Sequence, residues 1–548
     1  MPGFVFATPA KINNKFGISL LQPTNSDIKK AAEMVNSKGG DYGYVTLVIQ
    51  ENDRNHGKWQ EVFDELRKYH LIPIVRLATK PEGENWRRPS KDDVENWTSF
   101  LDKLNWVVKE RYIVLFNEPN HASEWGGEVD ASTYGEIVQE YSTKLHAQNK
   151  DFFVMMAGFD SSAPSSPSQY EDEDLFIKQV VDSQPSIFNN IDGWVSHSYP
   201  NPGFSGSPWD TGRKSIRGYE WELQVLKNNR VEKNLPVFIT ETGWIDNKLS
   251  RQTIASYYEN AFNDVWLSDE RVVAVTPFVF NYQTEPFLGF SFKQKNSEDF
   301  YPQYETLAAL SKTKGEPVVL ESGILEHQLP KEFVSDSSFR FSLKLKNTGQ
   351  AVWDKDAGYQ LVIIGDQQVP FEYFFSDIKD LEPFKEIEIS LFLKTNKTAG
   401  VHTVKIALQK NKETIAQTES WSFTILPIPS LEFKTTLLPK FIANSNNVEI
   451  QIYDDKEGLI YKKGGLSLKG GKGTIEEVQN IVFGKKYRIV ILAPYYLPRQ
   501  NYLVFHKEKN SVTFKTMLPF DLNKDGKWGF NDFGELLGHP NLFGLFVP

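Results

Sequence analysis

Residues Tyr112–Asn120 read YIVLFNEPN. An unbroken apolar run, β-branched and aromatic, stops on Asn-Glu-Pro-Asn. A run of this kind is how a strand buried on both faces of a parallel sheet reads. Seven more runs share its character: FGISLL (Phe16–Leu21), YVTLVI (Tyr44–Ile49), IPIVRLA (Ile72–Ala78), FFVMMAG (Phe152–Gly158), IDGWVSHSY (Ile191–Tyr199), PVFITE (Pro236–Glu241) and VVAVTPFVF (Val272–Phe280). The run at Tyr112 is the fourth of the eight and extends to Glu118.

Amphipathic stretches separate the runs. Ser90 can cap one in which Val94, Trp97, Leu101 and Leu104 recur at helical spacing. The others are Asp27–Ser37, Trp59–Tyr69, Ser132–Gln148, Leu175–Val181, Ile216–Asn229, Gln252–Leu267 and Pro302–Leu310. Parallel strands need helical crossovers, and eight strand–helix units close a barrel. A (β/α)8 TIM barrel over residues 16–314 is therefore expected; an open doubly wound sheet accommodates eight units less well.

Beyond Gly315-Glu316-Pro317 the pattern changes to strands alone, with period-two alternation in FRFSLKLK and TVKIAL. Residues 316–426 are expected to form a β-sandwich. Pro427 and Pro429 mark a stiff linker. A second small all-β sandwich is expected at 430–517, and 518–548 form a short C-terminal calcium-loop segment. The multi-domain reading fits a 548-residue chain with 40% hydrophobic residues. Residues 1–15 are a separate N-terminal segment; MPGFVFATPA is short and apolar enough to be the remnant of a signal peptide, so a secreted or cell-surface location of the bacterial export type is expected.

The formal net charge of −10 argues against a nucleic-acid partner, whose phosphates are bound by Lys and Arg. There is no cysteine, so disulfides, thiolate metal sites and Cys nucleophiles are excluded. No apolar run is long enough for a membrane span.

Catalytic groups of a barrel sit where its strands end at the carboxyl face. There the sequence places Arg76 near the end of run three, Asn117 and Glu118 at the end of run four, His197 and Tyr199 at the end of run six, Glu241 at the end of run seven and Tyr282 just past run eight. Buried acids are expensive unless they work or are paired. Glycosidic bond cleavage uses such a pair, one acid protonating the leaving oxygen and the other attacking the anomeric carbon or activating water. Lysine and His-rich metal sites, which aldolases and metal-dependent hydrolases need, are missing from the strand ends, so no cofactor is expected for catalysis.

NEP after strand four and ITETGW at strand seven resemble the clan A glycoside hydrolases, retaining barrel enzymes. The resemblance covers about residues 16–310. It implies Glu118 as acid/base and Glu241 as nucleophile, Asn117 on the sugar 2-hydroxyl, and His197 and Tyr199 as the strand-six contacts, with the Tyr199 hydroxyl keeping the nucleophile ionised. Arg76 maps onto the clan's strand-end arginine, one strand later than usual. The clan's strand-eight Trp is missing from TPFVFNYQ, where Phe280 or Tyr282 would substitute. Trp244, Trp209 and Trp125 are further substrate-binding candidates, as flat platforms for a polysaccharide; Trp86 is a fourth aromatic of this kind. A barrel that binds carbohydrate without cutting it is the rival reading.

KNTGQAVW resembles bacterial immunoglobulin-like modules, and 430–517 resembles carboxypeptidase-regulatory sandwiches. At the C-terminus DLNKDGKWGFND resembles a single dockerin-type EF-hand loop. That implies a structural Ca2+ held by Asp521, Asn523, Asp525, the Lys527 carbonyl and Asp532, and a possible scaffold or cell-surface protein as partner.

Overall fold

The computed structural model describes residues 12–538 apart from 167, 366–368, 398, 439–444 and 508. Residues 1–11 of the N-terminal segment and 539–548 of the C-terminal segment lie outside the described residues. The chain divides into two compact units. The first runs to Glu321 and takes in Gly349–Ala351; the second comprises Ser322–Thr348 and the chain from Val352 onward.

The first unit is a closed barrel of eight parallel strands. They are β1 (Gly17–Leu20), β2 (Gly43–Gln50), β3 (Leu71–Ala78), β4 (Arg111–Leu115), β5 (Phe152–Met156), β6 (Trp194–His197), β7 (Val237–Glu241) and β8 (Val272–Val275). Strands β1 to β5 pair in order, as do β6, β7 and β8. Parallel bridges at Met155–Gly193 and Phe16–Val275 close the two seams. Both seams need glycine. A Cβ on Gly17 would lie 2.6 Å from Thr276 Cγ2, and one on Gly193 would lie 2.7 Å from the Phe153 ring.

Among the described residues eight helices surround the strands: α1 (Asn25–Val35), α2 (His56–Lys68), α3 (Val94–Lys103), α4 (Ala131–Gln148), α5 (Glu173–Ser183), α6 (Gly218–Asn228), α7 (Arg251–Ala261) and α8 (Pro302–Ala309). Short polar side chains satisfy orphan amide donors at their starts. Thr24 accepts from Asp27 N at 3.1 Å, Asp130 from Thr133 N at 2.9 Å and Ser250 from Thr253 N at 3.0 Å. Ser90 caps a single tight turn, Lys91–Asp93, that leads into α3, rather than α3 itself. The run expected over Gln252–Leu267 is α7 followed by one wider turn, with Leu267 N bonded to Phe262 O at 3.0 Å.

Near the strand starts Tyr44, Tyr112, Phe153 and Phe238 pack against one another, with ring centroids 5.2–6.2 Å apart. This aromatic plug fills the amino-terminal end of the barrel. The polar groups described below collect at the opposite, carboxyl end.

Among its described residues the second unit contains four sheets. Gly323–His327, Ser338–Asn347, Glu386–Thr395 and Phe371–Phe375 pair in that order. Glu332–Val334, Trp421–Leu426, Gly400–Lys410 and Tyr359–Gly365 form a second sheet, with Glu413–Gln417 at its side. Phe333, Trp421 and Phe423 of one sheet meet Phe339, Phe341 and Phe371 of the other, which makes the pair a sandwich. The period-two pattern places Phe339, Leu343 and Leu345 inside and Arg340 and Lys344 outside. The other two sheets draw their strands from Leu431–Lys434 to Asn510–Thr513. A last helix, Phe530–Gly538, follows the acidic loop. No helix among the described residues is long and apolar enough to cross a membrane.

Candidate active site

Strand β4 ends at Leu115, three residues before Glu118. Phe116 and Glu118 both take positive φ, 75° and 32°. These left-handed residues turn the chain sharply at the barrel mouth, a conformation that costs energy outside glycine. Buried Phe116 anchors the turn against Trp125 and Tyr141, and Glu118 N bonds to Gly158 O at 3.1 Å.

On β7 the Glu241 side chain is 13% exposed. Arg76, from β3, places Nη1 2.5 Å from Glu241 Oε1, and the same nitrogen donates to Asn117 Oδ1. The Tyr199 hydroxyl donates to Glu241 Oε2 at 3.1 Å. Burial opposes ionisation of Glu241, but His197, Arg76 and the Tyr199 hydroxyl together outweigh it and hold the carboxyl below its ordinary range.

His197, at the end of β6, is buried and places Nδ1 2.8 Å from Glu118 Oε1. Burial works against a charge on this ring, yet Glu241 and Glu118 prevail and raise its pKa. The strand behind it is pinned by Glu222 of α6, which accepts from Trp194 Nε1 at 2.6 Å and Ser196 Oγ at 2.8 Å. His197 therefore orients Glu118 and offers substrate almost no surface.

Glu118, His197 and Glu241 bring ligand-type atoms within 4.8 Å of one another. The sequence shows no metal-ligand spacing in the barrel, but the fold assembles this set from three strands, and among the described residues it is the only such set. Its donors do not suit a cation. The Arg76 guanidinium already sits on Glu241, and the nearest ring nitrogen of His197 is spent on Glu118.

Two of the expected aromatic platforms must be corrected. Trp244 is 1% exposed and Trp125 is 0% exposed. Trp244 packs edge-on against Tyr257 and Tyr258 and donates Nε1 to Gly206 O at 2.7 Å. Trp125 is held between Phe116 and Tyr134. Neither shows a face on which a sugar ring can stack; both are core residues behind the site. Trp209 is different, 59% exposed on the loop after β6, and Trp86 is half-buried in a small hairpin. Phe280 is also buried, against Phe300 and Tyr304, and does not reach the mouth. Phe278, Val279 and Phe290 form a small buried apolar cluster against which Tyr199, Phe204 and Tyr282 pack.

Other residues at the mouth carry no motif. Gly158 gives room to His197, since a Cβ there would lie 2.2 Å from the ring. His121 bonds to Asp160 Oδ2 at 2.9 Å. Glu124, on the one-turn helix Ala122–Glu124, is a third carboxyl. Burial and the neighbouring Glu118 push its pKa up to about 7. A polar residue in the loop after β4 was the only sequence signal for it.

At the C-terminus, Gly526 N bonds to Asp521 Oδ1 at 3.4 Å and Lys527 N to Asp525 Oδ1 at 2.8 Å. Asn523 donates Nδ2 to Asp525 Oδ2 at 3.0 Å. Asp532 spends its carboxylate on the amides of Leu522, Asn523 and Gly529. Burial raises the Asp521 pKa, and Asp532 and Asp525 add to it.

No protein-family model matches the chain, and no curated protein does. Solved structures do show likeness. A family 39 glycoside hydrolase from the gut symbiont Bacteroides cellulosilyticus WH2 is 13% identical, with 70% of this chain and 81% of that one covered at a TM-score of 0.39. A monomeric beta-xylosidase from Caulobacter crescentus CB15 is 11% identical over 86% of this chain and 98% of that one, also at 0.39. A glycoside hydrolase family 30 subfamily 8 xylanase from Clostridium acetobutylicum is 10% identical over 70% and 97%, at 0.33. All three are glycosidases by name. Likenesses this remote carry no chemistry across, and the functional reading rests on the site itself.

Proposed function

We propose that the barrel is a retaining glycoside hydrolase that cleaves β-glycosidic bonds of a polysaccharide by double displacement. The observation that carries this reading is the placing of Glu118 and Glu241 oxygens within 4.8 Å of each other at one mouth. A carboxyl separation of about 5–5.5 Å suits direct attack, whereas a water between the two groups needs about 6.5–9.5 Å.

The unequal surroundings of the two acids support different roles for them. Glu241, kept ionised by Arg76 and Tyr199, attacks the anomeric carbon as the glycosidic C–O bond breaks. Glu118 gives its proton to the departing oxygen. His197 occupies Oε1 of Glu118, which leaves Oε2 for that transfer. In the second step Glu118 takes a proton from water, the water oxygen bonds to the anomeric carbon, and Glu241 leaves as carboxylate. Asn117 contacts the sugar, and Trp209 and Tyr282 flank the approach.

The test is reducing-end release from a panel of β-glucans, mannans, xylans and galactans, with wild type beside Glu241→Ala. Release by wild type that falls by several orders of magnitude in the variant supports the reading. Retention of one polysaccharide without release by wild type sinks it in favour of a binding barrel.

Two further proposals stand apart from the barrel. The loop Asp521–Asp532 holds a structural Ca2+, supported by side-chain oxygens of Asp521, Asn523 and Asp525 gathered on one tight turn with Gly526 at positive φ. The protein works outside the cell, which its polysaccharide substrate requires.

A further inference from the structure

The sheet that contains Ser338–Asn347 and Glu386–Thr395 turns Phe339, Leu343 and Leu345 inward and leaves its other face to solvent. On the solvent face the charges are laid out in rows across the strands. Lys346 stands opposite Glu386, Lys344 opposite Glu388 and Lys394 opposite Glu372. Lys344 reaches Glu386 at 3.7 Å, and Lys394 reaches Glu372 at 3.8 Å. Each lysine therefore has an acid across from it, which is how a solvated sheet face balances its charge.

One row departs from this. Arg340, Phe392 and Phe374 are in register across three strands, so a phenyl ring stands where an acid would balance the arginine. Phe374 is 60% exposed and Phe392 40% exposed, with ring centroids 6.1 Å apart. Arg340 Cζ lies 5.0 Å from the Phe392 centroid, and Nη2 donates to Ser390 Oγ at 3.3 Å. A guanidinium has five N–H donors. Among the described residues Ser390 takes the only side-chain hydrogen bond that Arg340 makes, and no carboxylate lies within 4 Å of it. Single exposed apolar residues are ordinary. Two neighbouring rings beside an unpaired guanidinium are not, and together they form a flat platform with one free charge at its end.

The platform asks two things of a ligand. The rings ask for a flat apolar face, such as the CH face of a sugar. The guanidinium, a planar fork of donors, asks for a carboxylate. A hexuronate unit carries both. The flanking rows hold Glu372 and Glu388, whose like charge opposes a densely charged strand such as a polyphosphate. We propose that the row Arg340–Phe392–Phe374 binds a uronate-bearing polysaccharide, with Arg340 on the carboxylate and the two rings under the sugar. The site belongs to the second unit alone and does not depend on what the barrel cleaves.

The experiment is affinity electrophoresis of the full chain, carrying Glu241→Ala so that the polymers stay uncut. The gels contain glucuronate-substituted xylan, polygalacturonate or hyaluronan, each beside the same polymer with its carboxyls reduced to alcohols. Arg340→Met, Phe374→Ala and Lys344→Met are run in parallel, with a melt of each. All three side chains are exposed, so the melts should match the parent. Retardation by at least one acidic polymer is expected, and it should vanish when that polymer is reduced. Arg340→Met should weaken the binding about tenfold or more, as the loss of a charge-assisted bidentate contact does, and Phe374→Ala several-fold. Lys344→Met removes the same charge from the same face, but from a paired residue, and should leave binding unchanged. No retardation on any of the three polymers overturns the proposal. So does retardation that survives carboxyl reduction, which needs no variant to read, and so does equal weakening by Lys344→Met and Arg340→Met.

Discussion

Replacing Gly158 by alanine tests how tightly the acid is held. The added methyl would lie 2.2 Å from His197 Cδ2 and 2.5 Å from Nε2. The backbone there is one that any residue adopts, so the effect comes from the clash alone. His197 is 2% exposed and its ring is fixed by the 2.8 Å contact with Glu118. It cannot yield without moving the acid. Overpacking of this kind costs about 1–3 kcal/mol. For a domain of roughly 150–250 residues each kcal/mol lowers Tm by about 2–4 °C, so a fall of several degrees is expected for this larger barrel. A displacement of about 1 Å at a reacting group costs on the order of a hundredfold in rate. The assay is kcat/KM on aryl glycosides of graded leaving-group pKa, beside a melt. The loss should be greatest for poor leaving groups, which depend on protonation by Glu118, and small for the best. A folded Gly158→Ala protein with wild-type kcat/KM across the series would refute the role given to the His197–Glu118 contact.

Further predictions concern the nucleophile, the core and the loop. Tyr199→Phe removes a donor from Glu241, and Arg76→Met removes a charge as well; both raise the Glu241 pKa toward the ordinary range. Activity needs the ionised form, so the acid limb of the pH–rate profile should move to higher pH in both variants, further in Arg76→Met, and an unmoved limb would contradict the assignment. Trp244→Ala and Trp125→Ala should each lose about 3–5 kcal/mol by chemical denaturation, the usual cost of emptying a buried Trp site. If Trp244 were instead a sugar platform, the variant would melt like wild type and lose affinity. Chelation with EDTA should lower the stability of the C-terminal segment and leave barrel turnover intact, and Asp521→Ala should abolish any effect of added Ca2+ on the melt.

The barrel was legible because each strand is buried on both faces and so reads as a continuous apolar run. The strand ends were less so. The run Tyr112–Glu118 outlasts β4 because Phe116, though apolar and buried, has left-handed φ and belongs to the turn. Val272–Phe280 outlasts β8 because Phe278 and Val279 belong to a small buried cluster beyond the strand end and Phe280 to the main core. The acid pair was legible from its position at two strand ends. Trp125 and Trp244 fill the core rather than the cleft because a large aromatic serves either equally well in sequence, and only packing decides between them. Glu124 had no motif; its place depends on the turn that Trp125 anchors.

The most direct test of the account is the anomeric configuration of the first product, followed by proton NMR during hydrolysis of a β-linked substrate. Glu118 and Glu241 oxygens within 4.8 Å of each other predict that the β-anomer appears first and mutarotates later. Early appearance of the α-anomer would mean a single displacement by water, and would contradict the role of Glu241 as nucleophile.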